Sequence, residues 1–267
     1  MNVPETPLRI AIAQPAMHWD GDANTQSILS TIAQAAAAKA RLCVFPELAV
    51  TGFHRQIASQ AKPELVAAWL QAIQQACALH AVAVSVGSPS FDDDGRIFNS
   101  QFHIDEHGQR VGVVEKKGLT GPEATFFAHG RVRPVFSLCG LRCTAVICRE
   151  VEDLEEVCAQ LAGAQPEFVF WPGLMGPEAG TEHFEPPRHV QQAQALARRL
   201  AAWVVQANWP MSLNHPELGA KTGRSVVIRP DGELALTLPQ AACGVAVFEL
   251  GSSSCDWQPQ GHPDPSA

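Results

Sequence analysis

Short apolar runs, many alternating with polar positions, recur at 8–13 (LRIAIA), 42–45 (LCVF), 82–86 (VAVSV), 97–104, 111–115, 141–147, 167–171 (EFVFW), 203–207 (WVVQA), 225–229 and 244–249. A period near two over four to eight residues predicts β-strands. Between several of them lie patterns with helical spacing: Asn24 to Ala40 with Ile28 and Ile32 on one face, Pro63 to His80 with Leu65, Trp69, Ala72, Ala76 and Leu79, Asp153 to Ala162, and Arg188 to Ala202. The chain therefore reads as mixed α/β. Two segments, "FNSQFHIDEHGQRVGVVEK" and "SVVIRPDGELALTL", each carry two strand patterns joined by a glycine-containing turn, His107-Gly108 and Asp231-Gly232. Such hairpins are antiparallel, which disfavours a purely parallel doubly wound sheet. No repeat or linker divides the chain, so one domain over 1–250 is expected. Residues 251–267, "GSSSCDWQPQGHPDPSA", read as an extended or disordered tail.

Composition narrows the partners. The 267 residues include 27 acidic and 19 basic ones, a net charge of -8, and the basic residues form no stripe. Nucleic acid is not expected as a partner. Nowhere do about 18 apolar residues run together, and the start, "MNVPETPLRIAIAQ", lacks a basic region followed by a long apolar one. The reading is a cytoplasmic protein with no membrane partner. Most of the cysteines sit within apolar segments, as reduced thiols do. If Cys143 and Cys148 share one strand, five steps of about 3.3 Å part them by roughly 16 Å and turn them to opposite faces, so they cannot bridge.

Three apolar runs finish on residues with reactive potential: "LCVFP" on Glu47, "VGVVE" on Lys116 and "CTAVI" on Cys148. In α/β sheets the crevice beyond the carboxyl ends of the strands is where ligands bind. Each residue also has an ordinary reading: a turn carboxylate, a solvated strand-end lysine, a thiol packing as a small hydrophobe. Context separates the cysteines. Cys148 is followed by Arg149 and Glu150 and then by Asp153 with Glu156 three residues on, the pattern of a helix cap. A cationic neighbour and a helix N-terminus both favour a thiolate, so Cys148 is the expected nucleophile and Cys143 a packing residue.

"VFPELAVTGF", "VEKKGLTGPEATFFAHG" and "AVICREVED" resemble, in that order, the three catalytic motifs of the nitrilase superfamily, the carbon-nitrogen hydrolases. The likeness extends to "RIAIAQ", "FNSQFHIDEHGQ", "AWVVQANW" and "GRSVVIRPDGEL", and so over nearly the whole chain. The resemblance implies a four-layer α-β-β-α sandwich with two mixed sheets face to face, in a homodimer or higher homo-oligomer. It implies a catalytic Glu47, Lys116 and Cys148, with Leu119 placing the lysine at 116 rather than 117, and Glu123 as a supporting second glutamate. Substrate contacts are expected from the loop-like stretch after the next strand: Trp171, Gly173, Leu174, Met175 and His183, with Arg188 as a further candidate. Where many members carry an aromatic and then Asp after the cysteine, this chain has Arg149 and Glu150, so the pocket wall differs.

The chemistry so implied is cleavage of a non-peptide carbon-nitrogen bond in a small linear amide through a thioester. Cys148 attacks, Glu47 moves protons and Lys116 stabilises the oxyanion. The histidines show no familiar metal-ligand spacing, and no cofactor motif is present, so no metal or cofactor is expected. The partner expected is a small-molecule substrate. An N-carbamoyl amidohydrolase or nitrilase with the same three residues, or a non-catalytic binding module on this fold, are the competing readings.

Overall fold

A computed structural model of the chain describes residues 7–176, 180, 184–219 and 221–261. In chain order the elements are β1 (Arg9–Gln14), α1 (Gly21–Ala37), β2 (Leu42–Val44), α2 (Ile57–Gln60), α3 (Pro63–His80), β3 (Ala83–Phe91), β4 (Ile97–Ile104), β5 (Arg110–Glu115), β6 (Phe136–Leu138), β7 (Leu141–Ala145), α4 (Leu154–Gln160), β8 (Phe168–Gly173), α5 (Arg188–Leu200), β9 (Trp203–Asn208), α6 (Pro216–Gly219), β10 (Val226–Ile228), β11 (Leu234–Thr237), β12 (Gly244–Glu249) and β13 (Asp256–Pro259). Short 3-10 turns are formed by Glu123–Thr125, between β5 and β6, and by Cys148–Glu152, between β7 and α4.

The strands form a seven-stranded sheet, β13-β12-β1-β2-β3-β4-β5, and a six-stranded sheet, β11-β10-β9-β8-β7-β6. Both are mixed: β1, β2 and β3 run parallel, as do β7, β8 and β9, and antiparallel pairs flank them. Because successive side chains on a strand point to opposite faces, each strand of the parallel centres supplies two cores. Ile10, Ile12, Leu42, Val44, Phe168, Phe170, Val205 and Ala207 meet between the sheets. Ala11, Ala13, Cys43 and Phe45 face α1 and α3 on one outside, and Val169, Trp171 and Val204 face α5 on the other. These runs are apolar on both faces for that reason, and the result is the four-layer α-β-β-α sandwich.

Local chemistry sets the element ends. Helix α1 starts at Asp20, whose carboxylate accepts the Asp22 N–H at 3.2 Å. Pro63 opens α3 at its first turn, where a missing N–H costs nothing, and Ala81 closes it in a left-handed conformation with φ 52°. Two strands depart from the sequence pattern. β6 has no counterpart in it, being only three residues long with Ser137 at its centre. β13 lies in the polar stretch expected to be a tail, where Gly244↔Pro259 through Val247↔Asp256 pair antiparallel with β12. Residues 262–267 lie outside the described residues. Cys143 packs between the sheets, as expected for a strand thiol. Cys148, expected on the same strand, is beyond its end, since β7 stops at Ala145.

Candidate active site

Glu47 and Cys148 stand just past the carboxyl ends of parallel strands β2 and β7, and Lys116 just past β5, held by its own N–H to Asn99 O at 2.8 Å. These ends open at one edge of the space between the sheets. Lys116 is 1% exposed, an unusual fate for lysine. Its Nζ sits 2.7 Å from Glu47 Oε1 and 2.5 Å from Glu123 Oε1. Lys117, the rival position, is partly exposed and turns its backbone rather than its ammonium inward. Glu123, expected as a supporting glutamate, is buried, and its second oxygen accepts the Thr120 N–H at 2.8 Å.

Glu47 is fully buried. Asn99 Nδ2 donates to its Oε1 at 2.7 Å, while Oε2 has no hydrogen-bond partner among the described residues. A buried carboxylate oxygen ordinarily finds a donor. In Glu47 one oxygen is taken by Lys116 and Asn99 and the other is left over. Trp209 fixes the loop from behind, its indole N–H reaching Glu47 O at 2.7 Å. Gly87 lets strand β3 approach the same loop: a methyl there would come within 2.2 Å of Leu48 N and 2.6 Å of Pro46 O.

Cys148 adopts φ 54°, a left-handed backbone that costs a residue with a side chain about 1–3 kcal/mol. The turn lifts the thiol off the strand path into a cavity of about 350 Å³ lined by Lys116, Glu123, Cys148, Phe53, Leu174 and Met175, together with Arg149, Thr120 and Gly176. Gly173 permits close packing behind it, since a Cβ there would lie 3.3 Å from Cys148 Cα.

The electrostatics differ from the sequence expectation. Burial pushes the Cys148 thiol up, and Glu47 adds to this, outweighing Lys116 and the Leu174 N–H that favour the anion. Arg149, expected to help a thiolate, is engaged by Asp153 at 3.0 Å and Glu152 at 4.0 Å. Asp153 accordingly makes no side-chain cap to α4. Cys148 thus rests as a neutral thiol, which would act as a nucleophile only with the help of a base. Burial also raises the Glu47 carboxyl above the usual carboxylate range, against the pull of Lys116. For Lys116, burial works against the charge, but Glu47 and Glu123 hold the ammonium above the ordinary lysine range.

A model of the family described as carbon-nitrogen hydrolase matches residues 9–258. The chain belongs to the carbon-nitrogen hydrolase family. Among solved structures of this fold, an amidase of the nitrilase superfamily from Nesterenkonia sp. AN1, as a double mutant in complex with acrylamide, superimposes with a TM-score of 0.78 at 25% identity, covering 92% of each chain. Another mutant of that amidase carries the acetamide moiety of fluoroacetamide on its active-site cysteine (TM-score 0.78, 26% identity, 92% of each chain). A curated relative, the glutamine-dependent NAD(+) synthetase of Acinetobacter baylyi, is 26% identical over 86% of this chain, which spans only 42% of that protein.

Of the contacts expected for this carbon-nitrogen hydrolase, Leu174 and Met175 line the cavity and Gly173 packs against the cysteine. Trp171 requires correction. It lies on the outer face of β8, fully buried against α5, and donates its indole N–H to Cys148 O at 3.0 Å, so it supports the turn and stays out of the cavity. His183 lies outside the described residues, and Arg188 opens α5 away from the cavity lining. Sequence reasoning missed Asn99, Trp209, Phe53 and Glu150. Asn99 carried a signal, because asparagine is depleted from strand interiors and here sits within an apolar run. The others depend on contacts distant in the chain.

Proposed function

We propose that this carbon-nitrogen hydrolase is an amidase that cleaves a small linear amide through a thioester on Cys148, releasing ammonia or a small amine. The observation that carries the reading is the unpartnered Oε2 of Glu47, a carboxylate paired through Oε1 with the buried Lys116 ammonium, which lines the same cavity as the neutral Cys148 thiol. In the proposed cycle Glu47 takes the thiol proton as Cys148 Sγ bonds to the carbonyl carbon, and the electron pair displaced onto oxygen is stabilised by the Lys116 ammonium. Collapse of that intermediate breaks the carbon-nitrogen bond, with Glu47 giving its proton to the leaving nitrogen. Water, deprotonated by Glu47, then attacks the thioester, and Cys148 leaves with the proton. Glu123 keeps Lys116 charged throughout.

The amide class is supported by the Nesterenkonia amidase, whose cysteine takes up an acetamide moiety. Phe53, Leu174 and Met175 give the cavity an apolar side suited to a short acyl chain. The curated relative is glutamine-dependent, so glutamine, itself a linear amide, belongs in the substrate panel. The test is ammonia release from acetamide, propionamide, glutamine, an N-carbamoyl amino acid and a short nitrile, with Cys148→Ala as blank. Turnover of amides, abolished in the blank and accompanied by an acyl adduct by intact mass, is expected. Turnover confined to the carbamoyl compound or the nitrile refutes the amidase assignment, and turnover equal in the blank refutes the cysteine mechanism.

A further inference from the structure

One carboxylate joins the turn that carries Cys148 to the turn next to Lys116. Glu150 Oε2 accepts the Ile147 N–H at 2.7 Å, and Oε1 accepts the N–H groups of Lys117 at 2.8 Å and Gly118 at 3.0 Å. Arg133 Nη2 pairs with the same Oε1 at 2.8 Å, and both side chains are 1% exposed. The guanidinium is itself held by Ala145 O, at the end of β7, and by Gln160 Oε1 on α4 at 3.0 Å. Four separate stretches of chain thus converge on one buried ion pair, neither member of which lines the cavity.

Buried pairs are poor devices for stability, since desolvation opposes their attraction and apolar replacements often serve as well. What this pair does that an apolar pair would not is accept three backbone N–H groups from the two loops that present the nucleophile and the cation. Ile147 directly precedes the left-handed Cys148, and Lys117 comes directly after Lys116, so the carboxylate grips each loop one residue from its reactive side chain. Burial opposes its charge, yet Arg133 and the N–H donors hold the Glu150 carboxyl below the usual range, leaving it ionised at neutral pH.

We propose that Glu150, anchored by Arg133, is a positioning residue that sets the Cys148 sulfur against the Lys116 ammonium. The proposal rests on the amidase reading for its kinetic consequence but not for its geometric one. A misplacement of about 1 Å at a reacting group costs on the order of 100-fold in rate. In Glu150→Gln an amide nitrogen replaces one oxygen and confronts either the Ile147 N–H or the donors gathered on the other side. The expected result is a fall in kcat of about 100-fold with KM within about threefold. Iodoacetamide should also alkylate Cys148 more slowly in the folded variant, followed by peptide mass with Cys148→Ala as blank. A role confined to stability would lower the melting temperature but leave kcat and alkylation rate per folded molecule at parent values, and that result overturns the proposal. Should Glu150→Gln fail to fold, Glu150→Asp carries the test. It keeps the charge for Arg133 but is one methylene short of spanning both loops, so a folded enzyme with kcat reduced about tenfold or more is expected, and parent kcat refutes the idea. If the parent hydrolyses no amide, the functional reading falls, while the alkylation comparison still decides the positioning role.

Discussion

His103 lies on the inner face of β4, in the apolar layer between the sheets, with its ring 4.2 Å from Phe136 and 4.9 Å from Phe170 by centroids. Neither ring nitrogen has a hydrogen-bond partner among the described residues. Burial pushes its pKa down from 6.5 to about 3. Between those values the unfolded chain binds a proton that the folded chain refuses, so stability is intact above pH 6.5 and declines as pH falls toward 3. Integrating the difference from about pH 7.5 to about pH 5 gives a loss of about 2 kcal/mol from this one imidazole, at about 1.36 kcal/mol per pH unit over roughly 1.5 units. The perturbation is His103→Leu, which removes the titration and fills much of the same space. Urea denaturation of parent and variant at both pH values yields the stability difference at each. Lost ring packing and relief of two unpaired nitrogens contribute equally at the two pH values, and His189, whose burial lowers its pKa to about 4, is common to both proteins. The variant should therefore gain about 2 kcal/mol on the parent on going to about pH 5. A stability difference that does not change with pH would refute a neutral, unsolvated imidazole at this position.

Four further outcomes are expected. Glu47→Gln keeps the Lys116 and Asn99 neighbours but removes the base, and hydrolysis measured by ammonia release should fall by about 10²–10⁴. Lys116→Met leaves Glu47 and Glu123 facing one another without a cation; thermal melts should show destabilisation of about 3–5 kcal/mol, and activity should drop by about 10²–10³. Gly87→Ala drives a methyl into the backbone of Pro46 and Leu48, so it should lower kcat while leaving the far sheet, probed by hydrogen exchange of β8 and β9, unchanged. Because burial and Glu47 hold Cys148 as a thiol, its alkylation by iodoacetamide should keep accelerating as pH rises beyond about 9; a plateau near neutrality would show a resting thiolate.

Elements buried on both faces or alternating cleanly were readable from the chain, since apolar period reports directly on how many faces are covered. β4 and α3 match their expected bounds, but α3 buries Val66, Trp69, Ile73, Ala76 and Cys77, so of the expected face Leu65 and Leu79 turn out to be exposed. β6 and β13 were not readable, because a three-residue strand has no period to detect and the DWQP of β13 owes its strand to pairing with β12. Glu47, Lys116 and Cys148 were legible as polar residues ending apolar runs, and Glu123 by resemblance to a family motif. Their electrostatics were not. A cation adjacent in sequence suggested an activated thiolate at Cys148, whereas the folded chain turns Arg149 to Asp153 and surrounds the sulfur with apolar walls and carboxylates. Glu150 was read only as a change in the pocket wall, whereas it lies outside the cavity lining, because its partners, Arg133, Lys117 and Gly118, come from elsewhere in the chain. The role of Trp171 was misjudged for a related reason: a one-residue change of face decides between the cavity and the outer core.

Strand order has a consequence for how the chain is made. β1 sits inside its sheet, between β2 and β12, with Arg9 opposite Glu249. During vectorial synthesis its β2 side can be satisfied early, while its other edge waits until β12, at Gly244–Glu249, has left the ribosome. Until then that edge offers unpaired amides to any neighbouring nascent chain. β12 acts as a closing clasp, and a chain stopped before it should yield aggregates rather than a smaller folded hydrolase.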